Sequence, residues 1–247
     1  DITVDTLFEE GFDAIFIGTG TALPKTLNLP GEELPGVVQA AYFLGMVALT
    51  RAGSLDIKEV PVAARDRVVI VGAGNVAMDA ARTALRLGAA KVTVVYRRTE
   101  KEITAERAEF EAARNEGVEF HWLASPVAIS GKNKVTGLEC ELQTLSPDNQ
   151  VQSTGQRETL PADVVLLAIG QRPAARIVST TQGIEVDGNG YVVTRDRPYG
   201  MTTRRGVFAG GDVVHEPATV VLAMKEAKKV AAGIAQYAEA KKIMESC

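Results

Sequence analysis

Residues 67–98, RVVIVGAGNVAMDAARTALRLGAAKVTVVYRR, decide the fold. A β-branched apolar run at 68–71 enters Gly72-Ala73-Gly74-Asn75-Val76-Ala77, a G-x-G-x-x-A turn. A helical pattern follows (Val76, Ala80, Thr83, Ala84, Leu87), stops at Gly88, and gives way to a second strand at 92–96 that ends in Arg97-Arg98. Each part has a separate physical reason. Gly72 permits the tight turn, Gly74 lets a pyrophosphate approach the backbone, and small Ala77 allows the helix to pack close to the strand. The helix N-terminus offers free N–H groups and a positive dipole end to phosphates. An NAD-selective unit places a carboxylate about 20 residues past the glycines to hold the ribose 2′-hydroxyl. Here that strand end carries two arginines, which suit a 2′-phosphate through charge-assisted, bidentate bonds. The stretch therefore reads as a complete β-α-β dinucleotide-binding unit that prefers NADP.

The chain has 247 residues, 46% of them apolar and 23% charged, with a net charge of −4. That is enough for one large core or two small ones, and the acidic balance argues against nucleic acid as a partner. No apolar run approaches the roughly 18 residues of a membrane span, and no secretory signal is visible. The two cysteines, Cys140 and Cys247, form no C-x-x-C and fall short of an iron–sulfur ligand set. No metal site is expected. A reduced, cytoplasmic setting follows as the default. The sequence opens at Asp1 without an initiator methionine and reads as a fragment.

Outward from the β-α-β unit, residues 1–64 hold a strand at 13–17 (DAIFI) followed by Gly18-Thr19-Gly20-Thr21. A Pro/Gly-rich link at 24–36 precedes an apolar stretch of helical length at 37–49. Beyond Arg98 come a helix at 104–116, a short strand at 118–123, and two β-rich stretches at 135–145 and 158–160 parted by the turn-forming SPDNQ. An apolar strand at 163–169 runs into Gly170-Gln171-Arg172-Pro173. The expectation is a parallel sheet carrying an antiparallel β-meander. The last part gives a hairpin at 184–193, the segment GVFAGGD ending at Asp212, and a long helix after Pro217 whose apolar positions are Val220, Met224, Ala227, Val230, Ala231 and Ile234.

The ordered set DAIFIGTGTALPKTLNLPGEELPG, VVIVGAGNVAMDAARTALRLGA with VYRRTEKEI, AIGQRP, and GVFAGGDVV with a long helix resembles the NADPH-linked small (β) subunit of glutamate synthase. It is similar also to NADPH-binding subunits of ferredoxin-linked oxidoreductases. The match covers essentially the whole chain. The resemblance implies an α/β fold in which a Rossmann-like NADP-binding domain, residues 65–172, is inserted into an FAD-binding domain made of residues 1–64 and 173–247. It also implies site residues. Gly72, Gly74, Asn75, Val76 and Ala77 become the NADP pyrophosphate loop, Arg97 and Arg98 the 2′-phosphate clamp, and Gly170 with Gln171 the nicotinamide surroundings. Thr19, Gly20 and Gly211 would line FAD, Asp212 would accept hydrogen bonds from its ribityl chain, and Thr219 and Val220 would direct N–H groups at the flavin ring.

Family members begin with a cysteine-rich iron–sulfur region and a first G-x-G-x-x-G unit that grips the FAD pyrophosphate, and both are missing from these residues. The expectation is a C-terminal fragment that binds NADP(H) well and FAD weakly or not at all, with an incomplete FAD site. In the intact protein the resemblance implies hydride transfer from NADPH to FAD, then electron flow through iron–sulfur centres to a glutamate synthase large subunit or a ferredoxin-linked partner. Such chemistry asks mainly for positioning of two rings, so no catalytic acid or base is assigned. His121, His215 and Asp79 are read as structural. Self-association is plausible through an apolar face left bare by the missing half. A thioredoxin-reductase-like enzyme would need a C-x-x-C, and the chain has none. A non-catalytic NADP-binding module stays open.

Overall fold

The computed structural model describes residues 2–174, 180–216 and 219–246. The chain divides into two compact units, one of Asp1–Lys25 with Gly170–Cys247 and one of Thr26–Ile169. It starts in the first, leaves it for the second, and returns. The opening segment gives helix α1 (Val4–Glu9), strand β1 (Ile15–Ile17) and the short β2 (Leu23–Pro24). Thr3 caps α1 by accepting from the Thr6 N–H at 3.1 Å.

The second unit is built on a parallel sheet. After β3 (Val37–Gln39) and α2 (Ala40–Arg51) come β4 (Arg67–Val71), α3 (Asn75–Arg86), β5 (Lys91–Tyr96), α4 (Arg107–Asn115) and β6 (Glu119–Trp122). A three-stranded antiparallel meander follows, β7 (Ala124–Gly131), β8 (Val135–Leu145) and β9 (Val151–Pro161), before β10 (Val164–Leu167) returns to the sheet. The strand order is β3-β10-β4-β5-β6, with every pairing parallel. Side chains alternate between its faces. Val68, Ile70, Val92, Val94, Val164 and Leu166 join α2, α3 and α4 in one core with Phe43 and Phe110, whereas Val69, Val71, Val95, Val165 and Leu167 pack with the meander residues Ile129, Val135, Leu138 and Cys140. Burial on both faces explains why these strands read as unbroken apolar runs. Arg67 and Asp163 fasten the starts of β4 and β10. The guanidinium donates from Nε to Oδ2 and from Nη2 to Oδ1, both at 2.8 Å, and the Arg67 N–H donates to Oδ2 at 3.0 Å.

Back in the first unit, β11 (Gln171–Arg172) pairs antiparallel with β2, and β12 (Thr194–Asp196), β13 (Tyr199–Thr202) and β14 (Val207–Ala209) precede the long helix α5 (Val220–Glu245). A second sheet has the order β1-β14-β13-β12, with β1 parallel to β14 in the register Ile15 opposite Val207. Val4, Ile17, Ile184, Val192, Val207, Ala209 and Val213 form its core. Helix α5 packs on the other side through Val230 against Met201 and Phe208. It comes so close that a Cβ on Gly233 would lie 2.2 Å from the Tyr199 carbonyl oxygen.

Three expectations change. The boundary expected at residue 64 lies between Lys25 and Thr26. The Pro/Gly link is docked onto the meander, where Ile129 N–H donates to Pro30 O at 2.8 Å and Val135 N–H to Pro35 O at 3.0 Å. Residues 37–39 form a sheet strand before the helix, which binds that whole segment to the dinucleotide unit. The third change is at the other junction. Gly170 and Gln171, expected inside the inserted domain, fall in the discontinuous unit, where Lys25 N–H donates to Gly170 O at 3.1 Å and Gln171 stands opposite Pro24.

Candidate functional site

Within the second unit, the sequence-predicted loop sits at the carboxyl end of β4, the edge where parallel α/β sheets hold ligands. Gly72 has φ +117°, and a Cβ there would stand 2.4 Å from the Ala168 carbonyl oxygen, so only glycine fits. Gly74 is the N-cap of α3, and no side chain caps this helix end. Its N-terminal N–H groups and dipole are left facing the loop. Ala77 is fully buried between α3 and the sheet, and Val76 is 44% exposed beside it. The Asn75 side chain is engaged outside the loop. Its Oδ1 accepts the Glu106 N–H at 2.8 Å. Ala105 N–H donates to Ala73 O at 3.1 Å, so residues 104–106 strap the loop from outside. Residues 105 and 106 carry no motif that marks this role, because the contact is made by backbone groups brought in by α4.

Arg97 and Arg98 follow β5 immediately and are both exposed. A single 3₁₀ turn (Glu100–Glu102) comes next, with Thr99 and Glu102 forming a reciprocal capping box. The Glu102 carboxylate accepts from the Thr99 N–H at 3.2 Å and from its hydroxyl at 3.1 Å. Its other oxygen lies 3.9 Å from Arg98 Nε. The Tyr96 hydroxyl donates to the Glu102 carbonyl oxygen at 3.0 Å and fixes the turn on the strand end. The Thr-x-x-Glu spacing in RRTEKE is the signal that could have revealed this arrangement. Asp79 is exposed on α3, one turn past the loop.

The first unit carries the other predicted residues after β1, after β14, at the start of α5 and at β11. Thr19 and Gly20 follow β1, Gly20 with φ +61°, and Gly210 N–H reaches back to Ile17 O at 3.4 Å. Gly211 (φ +75°) and Asp212 occupy a 3₁₀ turn, Gly211–Val213. Thr219 caps α5 by accepting the Leu222 N–H at 3.3 Å. The first turns of α5 expose Val220 (76%), Val221 (74%), Leu222 (53%) and Met224 (58%). Only Val230 and Gly233 of that helix are buried, so the apolar periodicity read from the sequence is only partly spent on this fold. Sequence reasoning missed a linked set here: Glu226 accepts from the Tyr199 hydroxyl at 2.9 Å and lies 3.2 Å from His215 Nε2. It also passes over Tyr237 and Lys241, which have Tyr-x-x-x-Lys spacing on α5. Tyr237 packs edge-on against Phe208, and Lys241 pairs with Asp13 at 2.8 Å.

His121, on β6, lines a cavity of about 300 Å³ with Arg67, Lys91, Glu119 and Glu158. Its Nε2 is 3.3 Å from Glu158 Oε2. Burial pushes the Cys140 thiol up to about 12, helped by nearby Glu158 and Glu139. Among the described residues no group of three or more His, Cys, Asp or Glu side chains could hold a metal ion, and no helix is long and apolar enough to cross a membrane.

A glycine loop at the head of a parallel sheet, set in a unit inserted within a second sheet domain, defines an α/β protein of the two-dinucleotide-fold class. The profile of the pyridine nucleotide-disulphide oxidoreductases matches residues 3–227, and the chain belongs to that family. The resemblance read from the motifs recurs among curated relatives. The glutamate synthase [NADPH] small chain of Halomonas elongata is 37% identical over 96% of this chain and 52% of its own length. That of Escherichia coli is 33% identical over 97% of this chain and 53% of its own. The beta subunit of the NADP(+)-dependent formate dehydrogenase of Moorella thermoacetica is 37% identical over 96% of this chain and 33% of its own. The chain thus spans about half the length of the glutamate synthase small chains it matches. Among solved structures, FprA from Mycobacterium tuberculosis in complex with NADPH superposes with a TM-score of 0.77 at 21% identity, over 100% of this chain and 68% of its own. Lactococcus lactis thioredoxin reductase gives 0.69 at 22%, over 91% and 66%. Both likenesses concern the fold.

Proposed function

We propose that this chain is the electron-input portion of an NADPH-dependent flavin oxidoreductase of the glutamate synthase small-chain type. The observation that carries the reading is the uncapped start of α3 beneath Gly72 and Gly74, with Arg97 and Arg98 exposed at the end of the adjoining strand. The residues present fit a nicotinamide dinucleotide. Gly72, Gly74 and the N–H groups at the start of α3 would hold the pyrophosphate, Val76 would border it, and Ala77 keeps the helix close enough for that contact. Arg97 and Arg98 would take the 2′-phosphate. For FAD the fit is partial. Thr19, Gly20, Gly211 and Asp212 would line the cofactor and Thr219 and Val220 would face its ring, but residues 1–25 and 170–247 carry no G-x-G-x-x-G or G-x-G-x-x-A sequence. Gly170 and Gln171 are proposed for the nicotinamide side.

When bound, NADPH supplies a hydride, and FAD is the acceptor this reading assigns in the whole protein. Onward transfer to iron–sulfur centres, a large subunit or a ferredoxin-linked partner, and a cytoplasmic setting, belong to the same proposal and rest on the names of the relatives. Calorimetric titration with NADPH and then NADH tests it. The expected result is tighter binding of NADPH, with roughly a tenfold or greater loss in an Arg97→Ala/Arg98→Ala double variant. Equal affinity for the two nucleotides would reduce the arginines to a solvated pair. A non-catalytic NADP-binding module is the second reading, since the glycine loop and the arginine pair lie in one compact unit that could bind the nucleotide by itself. NADPH turnover with added FAD and an artificial acceptor separates the two.

A further inference from the structure

We propose that Glu102 is a resident anion in the 2′-phosphate cradle, and that its charge sets how sharply the site separates a 2′-phosphorylated nucleotide from one with a free 2′-hydroxyl. The inference rests on the NADP reading above and names a residue that reading does not include. Three donors at the end of β5 suit a phosphate: the Thr99 N–H, the Thr99 hydroxyl and the Arg98 guanidinium. All three converge on the Glu102 carboxylate, the first at 3.2 Å, the second at 3.1 Å, and Arg98 Nε at 3.9 Å. The carboxylate cannot easily drift away, because the capping box and the Tyr96 hydroxyl on its carbonyl oxygen hold the residue in place. The Arg98 and Glu102 side chains are nevertheless 48% and 42% exposed, so solvent and solutes reach the pair.

The consequence is opposite for the two nucleotides. A 2′-phosphate carries nearly two negative charges at neutral pH, and it meets an arginine pair of which Arg98 is already partly neutralised by a fixed carboxylate. A 2′-hydroxyl is a donor, and a carboxylate beside the ribose is the acceptor that NAD-selective sites supply. Glu102 thus weakens one ligand and gives the other a partner, which narrows the preference that two arginines alone would set. The substitution Glu102→Gln removes the charge while keeping the turn, since glutamine serves at this capping-box position as glutamate does.

The test is calorimetric titration of the full chain and its E102Q form with NADPH and with NADH at low and at physiological salt. The expected result is a rise of roughly tenfold in the NADPH-over-NADH affinity ratio of E102Q, larger at low salt because the groups are half exposed. A ratio within twofold of the unmodified chain would overturn the proposal and leave Glu102 as a turn-capping residue. A second measurement needs no variant. In the unmodified chain the Thr99 amide resonance should move on addition of 2′-AMP and stay in place with 5′-AMP, and identical responses to both would equally overturn it. Failure of the NADP reading looks different: NADPH then binds the unmodified chain no better than NADH, and R97A/R98A changes nothing.

Discussion

At the scale of single residues, the two glycines of the loop do different jobs, and substitution separates them. Gly72→Ala places a methyl group 2.4 Å from the Ala168 oxygen on a backbone with φ +117°. It should cost about 3 kcal/mol of stability, visible as a lower melting temperature, and should abolish nucleotide binding with it. Gly74→Ala meets nothing nearer than Thr104 Oγ1 at 3.5 Å. It should leave the melt within about 1 kcal/mol of the parent yet weaken NADPH binding by tenfold or more, because the methyl occupies the pyrophosphate side. Equal loss of stability in both would show that the loop is a structural turn alone. Cys140 gives a third expectation. With its thiol pushed up to about 12 by burial, it stays protonated and should resist a maleimide probe near neutral pH until denaturant opens the meander core. The loop glycines and the paired arginines were legible in the sequence because their chemistry is local. Thr99 and Glu102 have capping-box spacing that the sequence reading passed over, and nothing local says that their donors and acceptor share the arginine site. The Asn75 contact with Glu106 was not legible, since it depends on where α4 begins in space.

Among the elements, the β4 and β10 junction is pinned by Arg67 and Asp163. The guanidinium and the Arg67 N–H hold the Asp163 carboxyl well below the usual carboxylate range. The sign follows from linkage. A depressed carboxyl stabilises the folded chain at pH values above its unfolded value, near 4, and that contribution disappears as pH falls through the folded value. Asp163→Asn should therefore cost about 1–2 kcal/mol in urea melts at pH 7, after allowance for a partly exposed pair. The gap between parent and variant should narrow steadily below about pH 4, and a gap independent of pH would sink the account. Elements whose pattern belongs to one strand or one helix were readable: β4, α3, β5, β8 and α5. Strand β3 was not, because its three residues, Val37–Gln39, run straight into the apolar face of α2 and the two patterns merge. Strand β7 was hidden by Pro126 and Gly131, and only its pairing with β8 makes it a strand.

On the scale of the molecule, the resemblance implied the insertion of one unit into another but set its edge at residue 64, whereas the edge lies at the head of the Pro/Gly link, whose docking on the meander composition does not reveal. Every residue that forms the glycine loop, its strap and the arginine–Glu102 cluster lies within Thr26–Ile169. A chain of residues 26–169 alone should then melt cooperatively and hold 2′-AMP within about threefold of the parent affinity, since Gly170 and Gln171, proposed for the nicotinamide side, lie outside it. An aggregated or non-binding product would show that the boundary at Lys25 is only geometric.

The pairing of Ile15 with Val207 has a further consequence, for the order of events during synthesis. Strand β1 leaves the ribosome well before its neighbour β14, which follows only after the whole inserted unit has been made. The inserted unit has its partners at hand and can close first, while strand β1 waits for the neighbour that its register requires. That interval sets a kinetic demand on this architecture that its finished contacts do not reveal.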